Sequence, residues 1–268
     1  MTEQAQEERH RAFYDAAASS VADISLMNYG YAPENPEIEG RADSEYLCLE
    51  LYRHVASPKI AGGRVLEVSC GRGGGAFFVK GAFRPAELIG VDLSEENVRI
   101  ANERFGGTEG LEFRVGNAED LPFADESFDA VLNVEASHLY PNPAHFFAEV
   151  ARVLRPGGLF LYADLFWPDS APETMLREAG LVIRQSQDVT PNVLRSLELD
   201  SDRREALLEP GTPEDKRREF RDWAGIKGYR AYNRFASGEW TYRSFEVSRP
   251  ESGSPPPSEP QLHDRSIE

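Results

Sequence analysis

Between Arg64 and Asp164 short apolar stretches alternate with amphipathic ones, which limits this part of the chain to a parallel sheet flanked by helices. Strands are expected near Val65–Ser69, Leu88–Asp92, Glu112–Val115, Ala130–Val134 and Leu159–Asp164. One intervening helix has a legible start. Ser94 suits the N-cap, Glu95 and Glu96 complement the helix dipole, and Leu93 and Val98 have the spacing of a hydrophobic staple. Asn142-Pro143 opens another helix, whose apolar face is Phe146, Phe147, Val150, Val153 and Leu154. Pro156-Gly157-Gly158 is expected to stop it before the next strand.

The flanks differ from this core. Residues 1–60 are expected to form a mostly helical lid, broken around Pro33 and Pro36, with Tyr29 and Tyr31 at the break. The core spans 61–189 and ends with a helix around Glu173–Ala179 and a strand at Leu181–Arg184. Residues 190–236 return to Arg- and Glu-rich helical sequence and are expected to be an insertion that caps the substrate site. Within 237–248, Trp240–Val247 is aromatic and β-branched and is expected to be the last strand, closing the sheet edge. The stretch 249–268 contains Ser254-Pro255-Pro256-Pro257-Ser258 and reads as a disordered tail. At 268 residues, one domain with insertions is the economical reading.

Twenty-nine Lys and Arg stand against 46 Asp and Glu, a net charge of −17. A field of that sign repels phosphate backbones and anionic lipid, so nucleic acid is not an expected partner. Arg217, Arg218 and Arg221 read as a solvated helix face. Cys48 and Cys70 are the only cysteines and form no C-x-x-C pair, so neither a disulfide framework nor a metal site is indicated. No apolar run approaches the roughly 18 residues of a membrane span, and Met1–Arg11 lacks the core of a signal peptide. A cytoplasmic protein is expected. A homo-oligomer remains open.

The strongest motif is Glu67-Val68-Ser69-Cys70-Gly71-Arg72-Gly73-Gly74-Gly75, directly after the first strand. Glycines let backbone approach a ligand closely, and the following helix offers free N–H groups. Asp92 follows Gly71 at about the 20-residue spacing that puts a carboxylate beside a ribose. Gly71-x-Gly73-x-x-Ala76 also fits the dinucleotide fingerprint, so a nicotinamide oxidoreductase is an alternative. Against it stand Glu67, placed to organise the ammonium of an amino-acid ligand, the segment Leu121–Asp129 and the Pro156-Gly157-Gly158 turn.

Together these motifs resemble the class I S-adenosylmethionine (SAM)-dependent methyltransferases from Arg64 to Asp164. The resemblance implies a doubly wound, Rossmann-like α/β sheet of seven strands, the last antiparallel, with helical lid segments. It also implies SAM as cofactor. Gly71 and Gly73 then wrap the methionine part, Glu67 supports the loop and Asp92 binds the ribose. Where the family has Gly-Asp-Ala for adenine, this chain has Gly116-Asn117-Ala118-Glu119, and Asn117 would accept through its carbonyl oxygen. Tyr29, Ser69, Leu93, Ala118, Glu119 and Asn133 complete the expected cofactor set.

Asn133-Val134-Glu135-Ala136-Ser137-His138 follows strand four, where ligands bind in such sheets. His138 is the one histidine of five on a strand-end loop, and Asp164 ends the adjacent strand. A carboxylate beside an imidazole fixes its tautomer and stabilises its charged form, as a general base requires. Glu135 is either a second base or a polar contact to the loop. Leu66–Gly71, Val131–His138, Tyr162–Leu165 and Asn192–Arg195 resemble the phthiotriolone/phenolphthiotriolone dimycocerosate methyltransferases, which O-methylate a secondary alcohol of a polyketide-derived lipid. O-methylation of a natural-product hydroxyl on a small-molecule acceptor is the leading expectation. C- or N-methylation, or a SAM-binding cyclase or non-methylating protein, are the alternatives.

Overall fold

The computed structural model describes residues 24–34 and 45–251. Expectations for 1–23, 35–44 and 252–268, including most of the N-terminal helical segment and nearly all of the tail, lie outside the described residues.

In chain order the elements are α1 (Tyr46–Val55), β1 (Arg64–Val68), α2 (Gly74–Phe83), β2 (Glu87–Asp92), α3 (Glu95–Phe105), β3 (Leu111–Val115) and β4 (Phe128–Val134). There follow α4 (Pro143–Val153), β5 (Leu154–Phe166), α5 (Pro172–Glu178), β6 (Val182–Asp188), α6 (Thr190–Ala206), α7 (Glu214–Trp223), α8 (Arg230–Ala236) and β7 (Thr241–Ser248). The strands form one sheet in the order β3-β2-β1-β4-β5-β7-β6. β1 to β5 pair in parallel, and β7 runs antiparallel to both β5 and β6.

Period-two alternation along the central strands feeds two cores, one on each face of the sheet. Val65, Leu132, Leu161 and Ala163 pack beneath α1 and α6, against residues such as Leu51 and Val193. Leu66, Val131, Phe160 and Tyr162 pack beneath α4 and α5, against Phe146, Phe147 and Leu176. Glu67 falls on the α1 face of the sheet, and its near-complete burial follows from that parity.

The α3 start is as expected, Ser94 Oγ accepting the Asn97 backbone N–H at 3.1 Å. At α4 the Asn142 side chain makes no capping bond, and Pro143 alone marks the first turn. Three expectations are corrected. Pro156-Gly157-Gly158 is not a turn between helix and strand: α4 already ends at Val153, and β5 runs through the motif. There Gly157 N–H donates to the Arg249 carbonyl at 3.0 Å and Arg249 N–H to the Gly158 carbonyl at 2.9 Å. Arg249 thereby belongs to the folded body, and its guanidinium also reaches the Leu154 carbonyl. Finally, β7 does not close the sheet edge but lies between β5 and β6, leaving β6 outermost. β6 extends to Asp188 through exposed polar residues that carry no apolar signal, held by pairing with β7.

The described N-terminal segment Ile24–Glu34 contains no helix. It is an irregular strap tied down by its backbone: Tyr31 N–H to the Leu47 carbonyl at 2.9 Å and Ala32 N–H to the Asn192 carbonyl at 3.1 Å. Among the described residues no helix is long and apolar enough to cross a membrane.

Candidate active site

The carboxyl ends of β1 to β4 and the strap enclose one cleft. Its walls are Ser25–Asn28, Ser69–Arg72, Asp92–Ser94, Gly116–Glu119, Val134–Ala136 and Leu139–Pro141, with Tyr52 and Asn97. It holds about 1050 Å³ of empty space, open mouth included.

The floor is the glycine loop. Gly73 has φ 81°, and a Cβ there would lie 2.7 Å from the Phe113 ring, so only glycine lets the loop turn against β3. Gly75 makes room for the Tyr52 ring, which a Cβ would overlap. Tyr52 thereby reaches beneath the loop and donates its hydroxyl to Glu67 Oε1 at 2.7 Å. Glu67 Oε2 is buried with no partner among the described residues. Burial pushes the Glu67 carboxyl up to about 8; the Tyr52 hydrogen bond offsets part of this, and the Asp92 charge adds to it. Below that value the group keeps its proton, and a cation placed beside it would favour the carboxylate.

Asp92 anchors the opposite side. Its Oδ2 accepts the Gly71 N–H at 2.8 Å, and its Oδ1 accepts the Ser94 N–H at 3.0 Å and Asn97 Nδ2 at 3.2 Å. It is therefore a fixed acceptor on the cleft wall and a brace for the loop. Asn97 Oδ1 is buried without a partner among the described residues. Asn117 Oδ1, expected to meet adenine, already accepts the Glu119 N–H at 2.9 Å in an Asx turn. Glu119 Oε1 in turn accepts the Asn142 N–H at 2.7 Å.

Beside the cleft, the loop after β4 carries His138 over the end of β5. His138 Nδ1 lies 2.7 Å from Asp164 Oδ1. Asp164 Oδ2 accepts the His138 backbone N–H at 3.0 Å and the Ser137 hydroxyl at 2.6 Å. With the fully buried Asp164 taking these donors, the imidazole carries its proton on Nδ1 and leaves Nε2 as acceptor. Burial pulls the His138 pKa down, while the charge and hydrogen bond of Asp164 and the charge of Glu135 outweigh it, so the net shift is upward from 6.5. The ring meets Trp167 edge-on at 6.1 Å, and Trp167 is 40% exposed. Trp167 packs on Trp240, and Trp240 on Phe235 of α8.

Glu135 lines the cleft with φ 56°. Its Oε2 accepts the Tyr29 N–H and the Tyr242 hydroxyl, both at 2.9 Å, tying the strap to β7. Burial raises its carboxyl to about 7; those two bonds and the His138 charge oppose the shift.

Of the expected cofactor residues, Ser69, Gly71, Asp92, Leu93, Asn117, Ala118 and Glu119 share the cleft wall. Gly73, Glu67 and Asn133 lie beneath it. Tyr29 is a correction: its ring turns away and packs on Phe235 at 5.5 Å, and its strap neighbours Met27 and Asn28 face the cleft instead. His138 and Asp164 flank the cleft without lining it. Met27, Asn28, Tyr52, Asn97 and Tyr140 were not foreseen. Only Asn97 carried a signal, three residues after the Ser94 cap.

A family model described as a methyltransferase domain matches residues 66–162. A fatty-acid O-methyltransferase of Mycolicibacterium smegmatis is 39% identical, the match covering 85% of this chain and 84% of that one. A phthiotriol/phenolphthiotriol dimycocerosates methyltransferase of Mycobacterium tuberculosis is 36% identical, with 83% and 84% covered. Among solved structures, the [4+2]-cyclase SpnF superposes with a TM-score of 0.74 at 23% identity, covering 91% of this chain and 97% of its own; that likeness shows the fold alone. The matched domain, the extent of the curated relatives and a cleft built from the glycine loop and Asp92 agree: the chain belongs to the SAM-dependent methyltransferases.

Proposed function

We propose that this enzyme methylates an oxygen of a small apolar acceptor, with SAM in the cleft and His138 as general base. The observation that carries the reading is the Asp164-held imidazole, whose only acceptor nitrogen is Nε2, beside a cleft that suits an aminoacyl-adenosine. The residues fit that cofactor. Glu67 Oε2 and Asn97 Oδ1 are buried acceptors lacking donors among the described residues, and SAM carries an ammonium and ribose hydroxyls. Asp92, Leu93 and Asn97 would hold the ribose, Asn117, Ala118 and Glu119 the adenine, and the Ser69–Gly71 backbone the methionine part.

Bound SAM supplies an electrophilic methyl group. The protein's part is to align the acceptor oxygen and to take its proton at His138 Nε2, with Asp164 stabilising the imidazolium that results. Glu135, with Oε2 committed to Tyr29 and Tyr242, serves better as the clamp between strap and sheet than as a second base.

The acceptor class follows from the ring series Phe235–Trp240–Trp167–His138, which runs from α8 to the base. An apolar chain or ring packs on the exposed face of Trp167, and the segment 190–236 caps it. The names of the two relatives, a fatty-acid and a phthiotriol dimycocerosates methyltransferase, support a lipid or polyketide-derived acceptor. A hydroxyl must lose a proton, whereas a carboxylate is already ionised at neutral pH. The His138–Asp164 pair therefore favours the hydroxyl; the fatty-acid relative favours the carboxylate as second reading.

Incubation of the enzyme and SAM with long-chain hydroxy compounds and fatty acids, followed by mass spectrometry, tests the proposal. One added methyl on oxygen, with S-adenosylhomocysteine formed, is the expected result. A methylated carbon or nitrogen, or an isomer of unchanged mass as from a cyclase, would overturn it.

A further inference from the structure

Ser69 stands at the entrance of the glycine loop with φ 58°, a left-handed conformation that glycine adopts freely and serine does not. A residue held there in a ligand cleft points to a use for its side chain. Ser69 Oγ lies 2.6 Å from the Tyr140 hydroxyl, which accepts a hydrogen bond from Asn133 Nδ2 at 2.9 Å. The fully buried Asn133 has its amide orientation fixed, because the same Nδ2 donates to the Val68 carbonyl at 3.0 Å, a place an amide oxygen would not tolerate.

The two hydroxyls carry two hydrogens. One is used in the Ser69–Tyr140 bond. Asn133 brings Tyr140 a donor and no acceptor, so the second hydrogen has no acceptor among the described residues, and both residues line the cleft. Whichever way the bond between the hydroxyls runs, the pair offers the cleft a donor. Burial holds the Tyr140 phenol above its ordinary pKa of 10, so the donor persists across the working pH range.

We propose that the Ser69–Tyr140 hydroxyl pair, directed by Asn133, is the donor site for the carboxylate of the cofactor's amino-acid portion. The inference rests on the SAM reading of the cleft. Glu67, two residues before Ser69, holds the unpartnered acceptor Oε2 beneath the same loop. An acceptor for an ammonium beneath the loop and a donor for a carboxylate at its entrance match the two charges of an α-amino acid. Ser69 and Tyr140 are the binding groups, and Asn133 is a positioning residue.

Two ligands separate this role from general support of the loop: S-adenosylhomocysteine, and 5′-methylthioadenosine, which keeps the adenosine and lacks the amino-acid portion. Ser69→Gly removes the hydroxyl while suiting the left-handed backbone, and Tyr140→Phe keeps the ring that packs on Phe146. Asn133→Asp turns the partner of Tyr140 into an acceptor and draws the hydrogen inward. Calorimetric titration should show each variant binding S-adenosylhomocysteine more weakly, with 5′-methylthioadenosine unchanged. Because either hydroxyl alone keeps a hydrogen for the cleft, the Ser69→Gly/Tyr140→Phe double variant, which has none, should lose the most, about tenfold or more. Unchanged S-adenosylhomocysteine affinity in the double variant, or equal losses for both ligands, would overturn the proposal. A wild-type protein that binds neither ligand would instead overturn the cofactor reading beneath it.

Discussion

Asp164 holds His138 twice, Oδ1 at 2.7 Å from the ring Nδ1 and Oδ2 at 3.0 Å from the backbone N–H. A ring pinned at both points presents Nε2 in one direction and in one tautomer. The arrangement also raises the imidazole pKa, since the Asp164 charge and hydrogen bond, with the Glu135 charge, outweigh the opposing effect of burial. The base works only when neutral, so turnover should fall as pH drops through a value above 6.5. In Asp164→Asn that acidic limb should move to lower pH, and kcat should fall by about tenfold or more because the neutral tautomer is no longer specified. The pH–rate profiles of the two proteins check both effects.

Stability without ligand should decline as pH rises. Burial raises the carboxyls of Glu67 and Glu135 to about 8 and about 7. The folded state therefore binds more protons than the unfolded state between about pH 4.5 and pH 8, and unfolding free energy falls across that window. His138, raised as well, stabilises the fold most below its unfolded pKa and loses that contribution as pH rises through its folded value, which adds to the trend. Urea midpoints should be lower at pH 8 than at pH 5.5, and Glu67→Gln should flatten the dependence. A wild-type midpoint that rises with pH would contradict the burial of these groups.

The order of motifs made the core legible because each signal is local. The Ser94 cap, the glycine loop and Asp92 at the end of β2 are set by neighbours within a few residues. The misread parts depend on distant ones. Gly157 and Gly158 signal a turn, yet their backbone pairs with Arg249 and so extends β5. Gln185 to Asp188 have no strand pattern, and among the described residues β7 alone pairs with them. The strap resembled a lid by composition, but nothing in Tyr29 showed that its backbone would bind Glu135 while its ring turned to Phe235. The His138–Asp164 pair was legible because parallel β4 and β5 bring their carboxyl ends together; the Ser69–Tyr140 contact was not, because it joins loops after β1 and β4 through side chains alone.

Trp167 leaves the end of β5 beside His138 with 40% of its surface exposed. If it receives the apolar part of the acceptor, Trp167→Ala should raise KM for long-chain acceptors by about tenfold, the value of burying part of a large apolar side chain. Short acceptors should be unaffected, and Trp167→Phe should restore most of the loss. Steady-state kinetics over a series of chain lengths would show the split, and an equal rise in KM for every length would remove Trp167 from the acceptor site.

The account turns on proton removal at His138, and the most direct test is the single-turnover rate of His138→Ala with a hydroxyl acceptor, which isolates chemistry from product release. General base catalysis predicts a fall of about 10²–10⁴-fold with the affinity for S-adenosylhomocysteine nearly unchanged, since the imidazole flanks the cofactor cleft without lining it. Methyl transfer at the wild-type single-turnover rate would contradict the account and leave alignment of the two reactants as the whole of the catalysis.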